Sequence, residues 1–128
     1  MAKHVPPFER LEVWQLAHRL ALDIYHVTKR FPPEEVYGLS AQLRRAALAI
    51  PTNLAEGNGR GSSLESVRFF LIARASLAEV RSLLRFAIDL GCLEKTSYER
   101  LLSDYDRVGK MLHFLIAAIR SRKSWRRS

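Results

Sequence analysis

Hydrophobic residues recur along most of the chain at alternating intervals of three and four, which places them on one side of an α-helix. Four segments show this pattern, separated by proline, glycine or polar turn residues. The repeating positions are Val13, Ala17, Leu20, Ile24, Val27 and Phe31; Leu39, Leu43, Ala46, Ala47, Ile50 and Leu54; Phe70, Ala73, Leu77, Val80, Leu84 and Ala87; and Tyr98, Leu101, Tyr105, Val108, Leu112, Leu115 and Ile119. The pattern predicts an all-α fold, an antiparallel up-and-down four-helix bundle.

The residues between the segments predict the boundaries. We expect a flexible arm at 1–7, the bundle at 8–119 and a basic C-terminal tail at 120–128, into which the last helix can continue. The first helix is expected at about 8–30, and the second from Glu34 or Glu35. Ser62 with Glu65, and Thr96 with the Glu three residues later, have capping-box spacing and are expected to open helices three and four. The glycine-rich run at 57–61 lacks the strand and Lys-Ser/Thr ending of a phosphate-binding loop, so it is interpreted as a turn.

The second segment carries a proline inside its helical pattern and polar residues beside its hydrophobic side. Pro51 has no N–H and crowds the carbonyl of Ala47, so we expect a kink near Ile50 at a cost of about 3 kcal/mol. A polar network is expected around this proline, and Glu79 on the third helix is expected to face Arg45 or Gln42. The predicted members of the network are Gln42, Arg45, Asn53, Glu56 and Glu79. We interpret this network as structural, at a helix or subunit boundary, with a functional site as the alternative.

The same stretch carries a family resemblance. The matching motifs are Gln42-Leu43-Arg44-Arg45-Ala46-Ala47, then Ile50-Pro51-Thr52-Asn53-Leu54-Ala55-Glu56-Gly57 and Arg60, with Leu11-Glu12-Val13-Trp14, Phe31-Pro32 through Gly38-Leu39, and Ser76-Leu77-Ala78-Glu79. In this order, over residues 8–119, they resemble the bacterial four-helix-bundle family first noticed as reading frames in intervening sequences of 23S ribosomal RNA genes. Thr52 and Leu54 depart slightly from its pattern. The chain is more distantly similar to the accessory variability protein of diversity-generating retroelements.

This resemblance implies a ring-shaped homo-oligomer, with a pentamer favoured. The retroelement protein is a basic pentamer that works with a reverse transcriptase and nucleic acid, so the resemblance also implies those partners. Independently of the resemblance, the first and third helices carry apolar residues outside their core-facing seams, and these residues indicate contacts between subunits. The third helix carries such a second file, interrupted by Ser76 and Glu79, at Phe69, Ile72, Leu83 and Phe86.

Charge is the strongest functional signal from composition. The chain has 21 Lys and Arg against 13 Asp and Glu, a net charge of +8, and a pI of about 10.3. Residues 120–128 hold five of the basic residues and no acid, so the rest of the chain carries 16 − 13 = +3. This distribution favours a polyanionic partner, nucleic acid ahead of an acidic membrane surface. The alternative is a basic surface without a polyanion partner.

Two groups of basic residues are candidates for phosphate contacts. On the third helix Arg74, Arg81 and Arg85 lie within about 40° of one another; the alternative is a solvated face in which Arg85 pairs with Asp89. In the tail, Trp125 suits base stacking, a subunit contact or a frayed end. The candidate nucleic-acid-binding residues are Arg74, Arg81, Arg85, Arg120, Arg122, Lys123, Arg126 and Arg127.

Other chemistry finds little support in the sequence. A di-iron bundle needs paired Glu-x-x-His motifs, and the chain offers a single Asp23-x-x-His26, so we predict no metal and no cofactor. Arg107 with His113 loosely resembles the pair used by metal-independent ribonucleases, but the two lie about 120° apart on a helix. Cys92 is the one cysteine, which favours a reducing cytoplasm, and no stretch is apolar enough to span a membrane.

The sequence therefore predicts a non-enzymatic, basic, cytoplasmic homo-oligomer that binds nucleic acid, RNA ahead of DNA, through backbone phosphates. The alternative is a structural scaffold or accessory protein that binds a protein such as a reverse transcriptase or a ribosomal component. A metal-independent ribonuclease is the least favoured function.

Overall fold

The computed structural model describes residues 7–127, with side chains described as far as Arg122. Within this range the chain forms four α-helices and no strand: α1 (Glu12–Thr28), α2 (Leu39–Asn58), α3 (Ser63–Asp89) and α4 (Lys95–Arg127). Short 3-10 turns lie at Pro7–Arg10 and Pro33–Glu35. Each helix packs on the next in sequence, and α4 returns to pack on α1. This confirms the all-α prediction and the four-helix bundle.

The predicted hydrophobic stripes of α2 and α3 form the centre of the core. All six repeating positions on each helix are buried. α2 runs without a break through Pro51, which is itself buried. α2 and α3 make the most extensive contact in the bundle. One reason is Gly57, where a Cβ would lie 2.6 Å from the Phe70 ring and 3.0 Å from the Ser66 carbonyl oxygen. The glycine therefore lets the end of α2 rest directly on α3.

Toward the C-terminal ends of α1 and α4, the buried position is shifted by one residue from the position that the pattern predicts. Val27 and Leu115 were expected in the core, but both are only partly buried. Their neighbours Thr28 and Ile116 are buried instead. A straight α-helix drifts about 20° per heptad against a seven-residue repeat, so the inward position moves on after three or four turns. Thr28 is polar, yet it fits there because its hydroxyl donates to the Ile24 carbonyl at 2.7 Å.

Three helix starts differ from the predicted boundaries. α1 begins at Glu12 rather than residue 8, because Pro7–Arg10 forms a 3-10 turn. α2 begins at Leu39 rather than near Glu34, since Pro33–Glu35 forms another such turn and Gly38 has a non-helical backbone. α4 begins before Thr96, which therefore lies inside the first turn and cannot be the cap predicted from its spacing with the glutamate.

The Ser62 cap was predicted and is present, since its hydroxyl accepts from the Glu65 backbone N–H at 3.2 Å. Near the C-terminus, α4 continues past residue 119 to Arg127, so the basic tail extends the last helix. Residues 1–6 of the arm expected at 1–7 lie outside the part of the chain that the structure describes, and Pro7 begins the first 3-10 turn.

Candidate nucleic-acid interface

A groove between α3 and α4 collects basic side chains around an exposed aromatic ring. Its volume is about 640 Å³. Arg74 enters it from α3, and Lys110, His113 and Phe114 enter it from α4. All four side chains are exposed, and Phe114 retains 70% of its accessible surface. We name this site the basic groove; its lining is Arg74, Leu77, Arg81, Asp106, Gly109, Lys110, His113 and Phe114.

Helical spacing explains how α4 supplies this site. Lys110, His113 and Phe114 recur at intervals of three and four, out of phase with the buried Leu112 and Ile116. The helix therefore packs its seam on the core and displays these residues on another side. Sequence reasoning missed all three. A phenylalanine out of phase with the seam, one turn after Lys110 and next to His113, was the signal that could have found them.

The predicted arginine ridge of α3 divides into one free and two paired side chains. Arg81 donates to Asp106 Oδ1 from both Nε, at 3.2 Å, and Nη2, at 2.9 Å. Arg85 donates from Nε to Asp89 Oδ2 at 3.0 Å, and this hydrogen bond raises the arginine pKa above its ordinary value. Arg74 makes no ion pair with any described acid. The alternative pairing considered for Arg85 is thus present, and Arg74 keeps its charge available.

Gly109 allows the Arg81 side chain to lie against α4. A Cβ at this glycine would come within 2.9 Å of Arg81 Nη2 and 3.3 Å of Leu77 Cδ2. Because the glycine has no Cβ, the guanidinium can cross the helix surface and reach Asp106. Arg81 and Asp106 thereby contribute a neutralised pair to the lining of the basic groove, while Arg74 and Lys110 line it without an ion-pair partner.

Further cations continue along α3 and α4 toward the far end of the bundle. Arg68 and Arg120 line a depression of about 480 Å³ with an apolar floor. Arg122 and Arg60 line another of about 320 Å³ where the chain turns from α2 to α3. Arg60 is already paired with Glu56 at 2.7 Å. The candidate side chains of Lys123, Arg126 and Arg127, and that of Trp125, lie outside the described side chains.

The sequence of α4 also separates acidic from basic residues along the helix. Asp106 is the last acidic residue of the chain, and the 22 residues that follow, 107–128, contain seven Lys and Arg. Arg107 lies 3.8 Å from Asp104 across one helical turn. Within α4, Lys110 and the basic residues after it can therefore pair only with an acid that precedes them, and Lys110 makes no ion pair with any described acid. The C-terminal half of α4 therefore carries Lys110 and the basic residues from Arg120 onward, and no acid.

The residues of the predicted polar network do not meet within the subunit. Asn53 donates from Nδ2 to the Ala49 carbonyl of its own helix at 2.8 Å, rather than to the Ala47 carbonyl that Pro51 leaves unpaired. Glu56 pairs with Arg60. Gln42, Arg45 and Glu79 are exposed and, among the described residues, make no side-chain hydrogen bond or ion pair with one another. The expected contact of Glu79 with Arg45 or Gln42 is therefore absent from the single subunit.

A second cleft, between α1 and α2, is lined by residues of the family motifs. It has a volume of about 580 Å³, and we name it the α1–α2 cleft. Trp14 stacks on His18 with ring centroids 4.7 Å apart, and Phe8 meets the indole edge-on at 5.0 Å. Leu48 is 44% exposed beside them. The complete lining is Phe8, Trp14, His18, Leu48, Pro51, Thr52, Ala55, Glu56, Gly59 and Arg60.

Together the fold and the charge distribution define a small, basic, all-α protein of the four-helix-bundle class. Within the described side chains, no group of three His, Cys, Asp or Glu could hold a metal ion, and no described helix is long and apolar enough to cross a bilayer. The chain belongs to the family described as 23S rRNA-intervening sequence protein, whose model matches residues 9–114. This confirms the family recognised from the motifs.

A solved structure shares the fold. It is the 1.70 Å crystal structure of a protein with unknown function from the S23 ribosomal protein family of Bacteroides thetaiotaomicron. The two chains are 21% identical and superpose with a TM-score of 0.73, over 81% of this chain and 97% of that one. No curated protein matches the chain. The similarity establishes the architecture and leaves the function to be argued from the surface.

Proposed function

We propose that this protein binds nucleic acid through the basic groove, RNA ahead of DNA, and does so without catalysing a reaction. The observation that carries the proposal is the pair of cations without an ion-pair partner, Arg74 from α3 and Lys110 from α4, that line the same groove. Phosphate oxygens are the natural partners of such cations, and Arg68 and Arg120 extend the same positive path along α3 and α4. RNA is the first nucleic acid to test, and DNA the second.

The direct test is the salt dependence of binding. We expect anisotropy of a labelled 20-nucleotide RNA to report binding whose log affinity falls linearly with log salt. Arg74→Gln with Lys110→Gln should make that slope shallower by about 0.7 per lost contact on single strands. A matched control, Arg10→Gln with Lys29→Gln, removes the same charge from exposed positions outside the groove and should leave the slope unchanged. Equal effects of the two double variants would contradict the site.

The same experiment separates the alternative scaffold function. An apolar protein contact is only weakly sensitive to salt, whereas phosphate contacts lose affinity steeply. We favour nucleic acid because the groove displays cations in excess of acids. A protein partner such as a reverse transcriptase or ribosomal component would instead be supported if wild-type protein bound no RNA or DNA at low salt.

We further propose that the protein acts as a ring-shaped homo-oligomer, a pentamer by family resemblance. A ring needs two different complementary faces on each subunit. The subunit has two: the α1–α2 cleft, and an α3 patch in which Ile72 is 43% and Phe86 is 58% exposed beside the partly buried Phe69 and Leu83. Gln42, Asn53 and Glu56 lie on α2 beside these faces, and we propose that their network forms between subunits. The half-buried free thiol of Cys92 suits the cytoplasm in which we propose this ring works.

A further inference from the structure

Phe114 is the most exposed phenylalanine among the described side chains, and nothing in the fold of the subunit requires it. Its ring keeps 70% of its surface open, whereas Phe70, in the core, keeps 2%. The ring lines the basic groove together with Lys110 and Arg74. His113 forms a T-shaped contact with it, with ring centroids 5.6 Å apart and planes inclined by 75°. Because the side chain keeps 70% of its surface open, most of the phenyl ring is accessible to a ligand.

An exposed aromatic face flanked by cations suits one form of nucleic acid better than another. In a single strand the bases are free to stack on an aromatic side chain while the backbone follows the positive groove. In a duplex the base faces are already stacked inside the helix, so a phenyl ring on the outer surface of a protein helix meets only backbone and groove edges. A site that bound duplex phosphates alone would gain nothing from Phe114.

We infer that the basic groove takes single-stranded nucleic acid, with one base stacked on Phe114 and the neighbouring phosphates held by Arg74 and Lys110. The inference rests on the proposed function and adds the strand form that the site selects. Stacking depends on π faces that every base has, so the groove binds single strands of unrelated sequence with similar affinity. The neutral Arg81–Asp106 pair ends the charged path on one side, and Arg68 and Arg120 continue it on the other.

The test compares a labelled 12-nucleotide single strand with a duplex of the same sequence, for wild type and three variants. Phe114→Ala should weaken single-strand binding by about 5- to 150-fold, the range for loss of one stacked base, and leave duplex binding unchanged. The salt slope should stay as in wild type because no charge is removed. Phe114→Leu, apolar but without a π face, should lose most of the same affinity. Tyr37→Ala, which removes a 96% exposed aromatic ring outside the groove, is the control and should bind as wild type.

The outcomes separate this inference from the proposed function. If Phe114→Ala binds both strand forms as wild type does, while Arg74→Gln with Lys110→Gln weakens both, the groove binds phosphates without stacking and the inference is wrong. If wild type binds neither form at low salt, both proposals are wrong. Because Phe114 is exposed, its variants should keep the wild-type melting temperature, and that measurement accompanies each titration.

Discussion

Tyr105 is fully buried in α4, and its hydroxyl has no hydrogen-bond partner among the described residues. Burial, with a smaller contribution from Asp23, raises the pKa of this phenol above its ordinary value. An unpaired buried hydroxyl costs about 1–3 kcal/mol, so Tyr105→Phe should raise the free energy of unfolding by up to that amount. The control is Tyr37→Phe, at an exposed site, which should change nothing. Urea unfolding at pH 7 measures both.

The same residue makes stability depend on alkaline pH. Because the folded pKa of Tyr105 is raised, its titration leaves the free energy of unfolding unchanged below the unfolded pKa of about 10 and lowers that free energy as pH rises from there toward the folded value. Tyr105→Phe should remove this part of the loss between pH 9 and about 11. An identical alkaline decline in wild type and variant would show that other groups cause it.

Two helical glycines should respond differently to alanine. At Gly57 the new Cβ would meet the Phe70 ring and the Ser66 carbonyl, which are rigid, so Gly57→Ala should destabilise the fold by about 1–3 kcal/mol. At Gly109 it would meet the end of Arg81, which can swing away. The gain of about 1 kcal/mol in helix propensity then offsets the loss of an exposed ion pair, and Gly109→Ala should stay within about 1 kcal/mol of wild type. Thermal melts of both variants test the contrast.

At the scale of the elements, the hydrophobic pattern was sufficient to predict which segments are helical and which side of α2 and α3 is buried. The hydrophobic pattern failed where a turn or a hydrogen bond, rather than apolar burial, determines the structure. Periodicity cannot place a helix start when a proline turn such as Pro33–Glu35 precedes it, and it does not anticipate a buried polar residue such as Thr28. That side chain is stabilised by Arg44, whose Nε donates to the hydroxyl at 2.8 Å across two helices.

The candidate site was less predictable than the fold, because a surface obeys no packing rule. The spacing of Arg74, Arg81 and Arg85 was visible in the sequence. Of the two acids that pair with these arginines, however, only one could be predicted from it. Asp89 follows Arg85 by one turn and was considered, whereas Asp106 lies on another helix, 25 positions away from Arg81. Only the packing of α3 on α4 brings that aspartate to the arginine and leaves Arg74 free.

The C-terminal turns of α4 provide a test at this scale. Deletion of residues 121–128 removes four Lys and Arg and ends the chain after the buried Ile119, so the fold and the subunit count should survive. The slope of log affinity against log salt should become shallower by about 0.7 per contact on single strands, or 0.9 on duplex. The loss should be similar for unrelated sequences, since backbone contacts do not read bases. An unchanged slope and affinity would restrict the site to the basic groove.

For the whole molecule, the proposed ring predicts how variants combine. Phe86→Glu in the α3 patch and Leu48→Glu in the α1–α2 cleft each place a charge in one face of the proposed contact, and both positions are exposed in the subunit. Each variant alone should be monomeric by light scattering at micromolar concentration, where wild type should be oligomeric. Mixed together they should form a heterodimer, because each supplies the face that the other has lost. A monomeric wild type would contradict the ring, and a mixture without heterodimer would contradict this choice of faces.

The end of acidic sequence at Asp106 gives the subunit an electric dipole along its helices. The centre of positive charge is displaced toward the end where α4 finishes, so the field of a polyanion should rotate the approaching protein until this end leads. The rate of association should then fall strongly as ionic strength rises. The lifetime of the complex, to which the proposed stacking on Phe114 would contribute, should change much less. Stopped-flow measurement of the association and dissociation rate constants across salt concentrations would distinguish electrostatic orientation before contact from the contacts that hold the complex together afterwards.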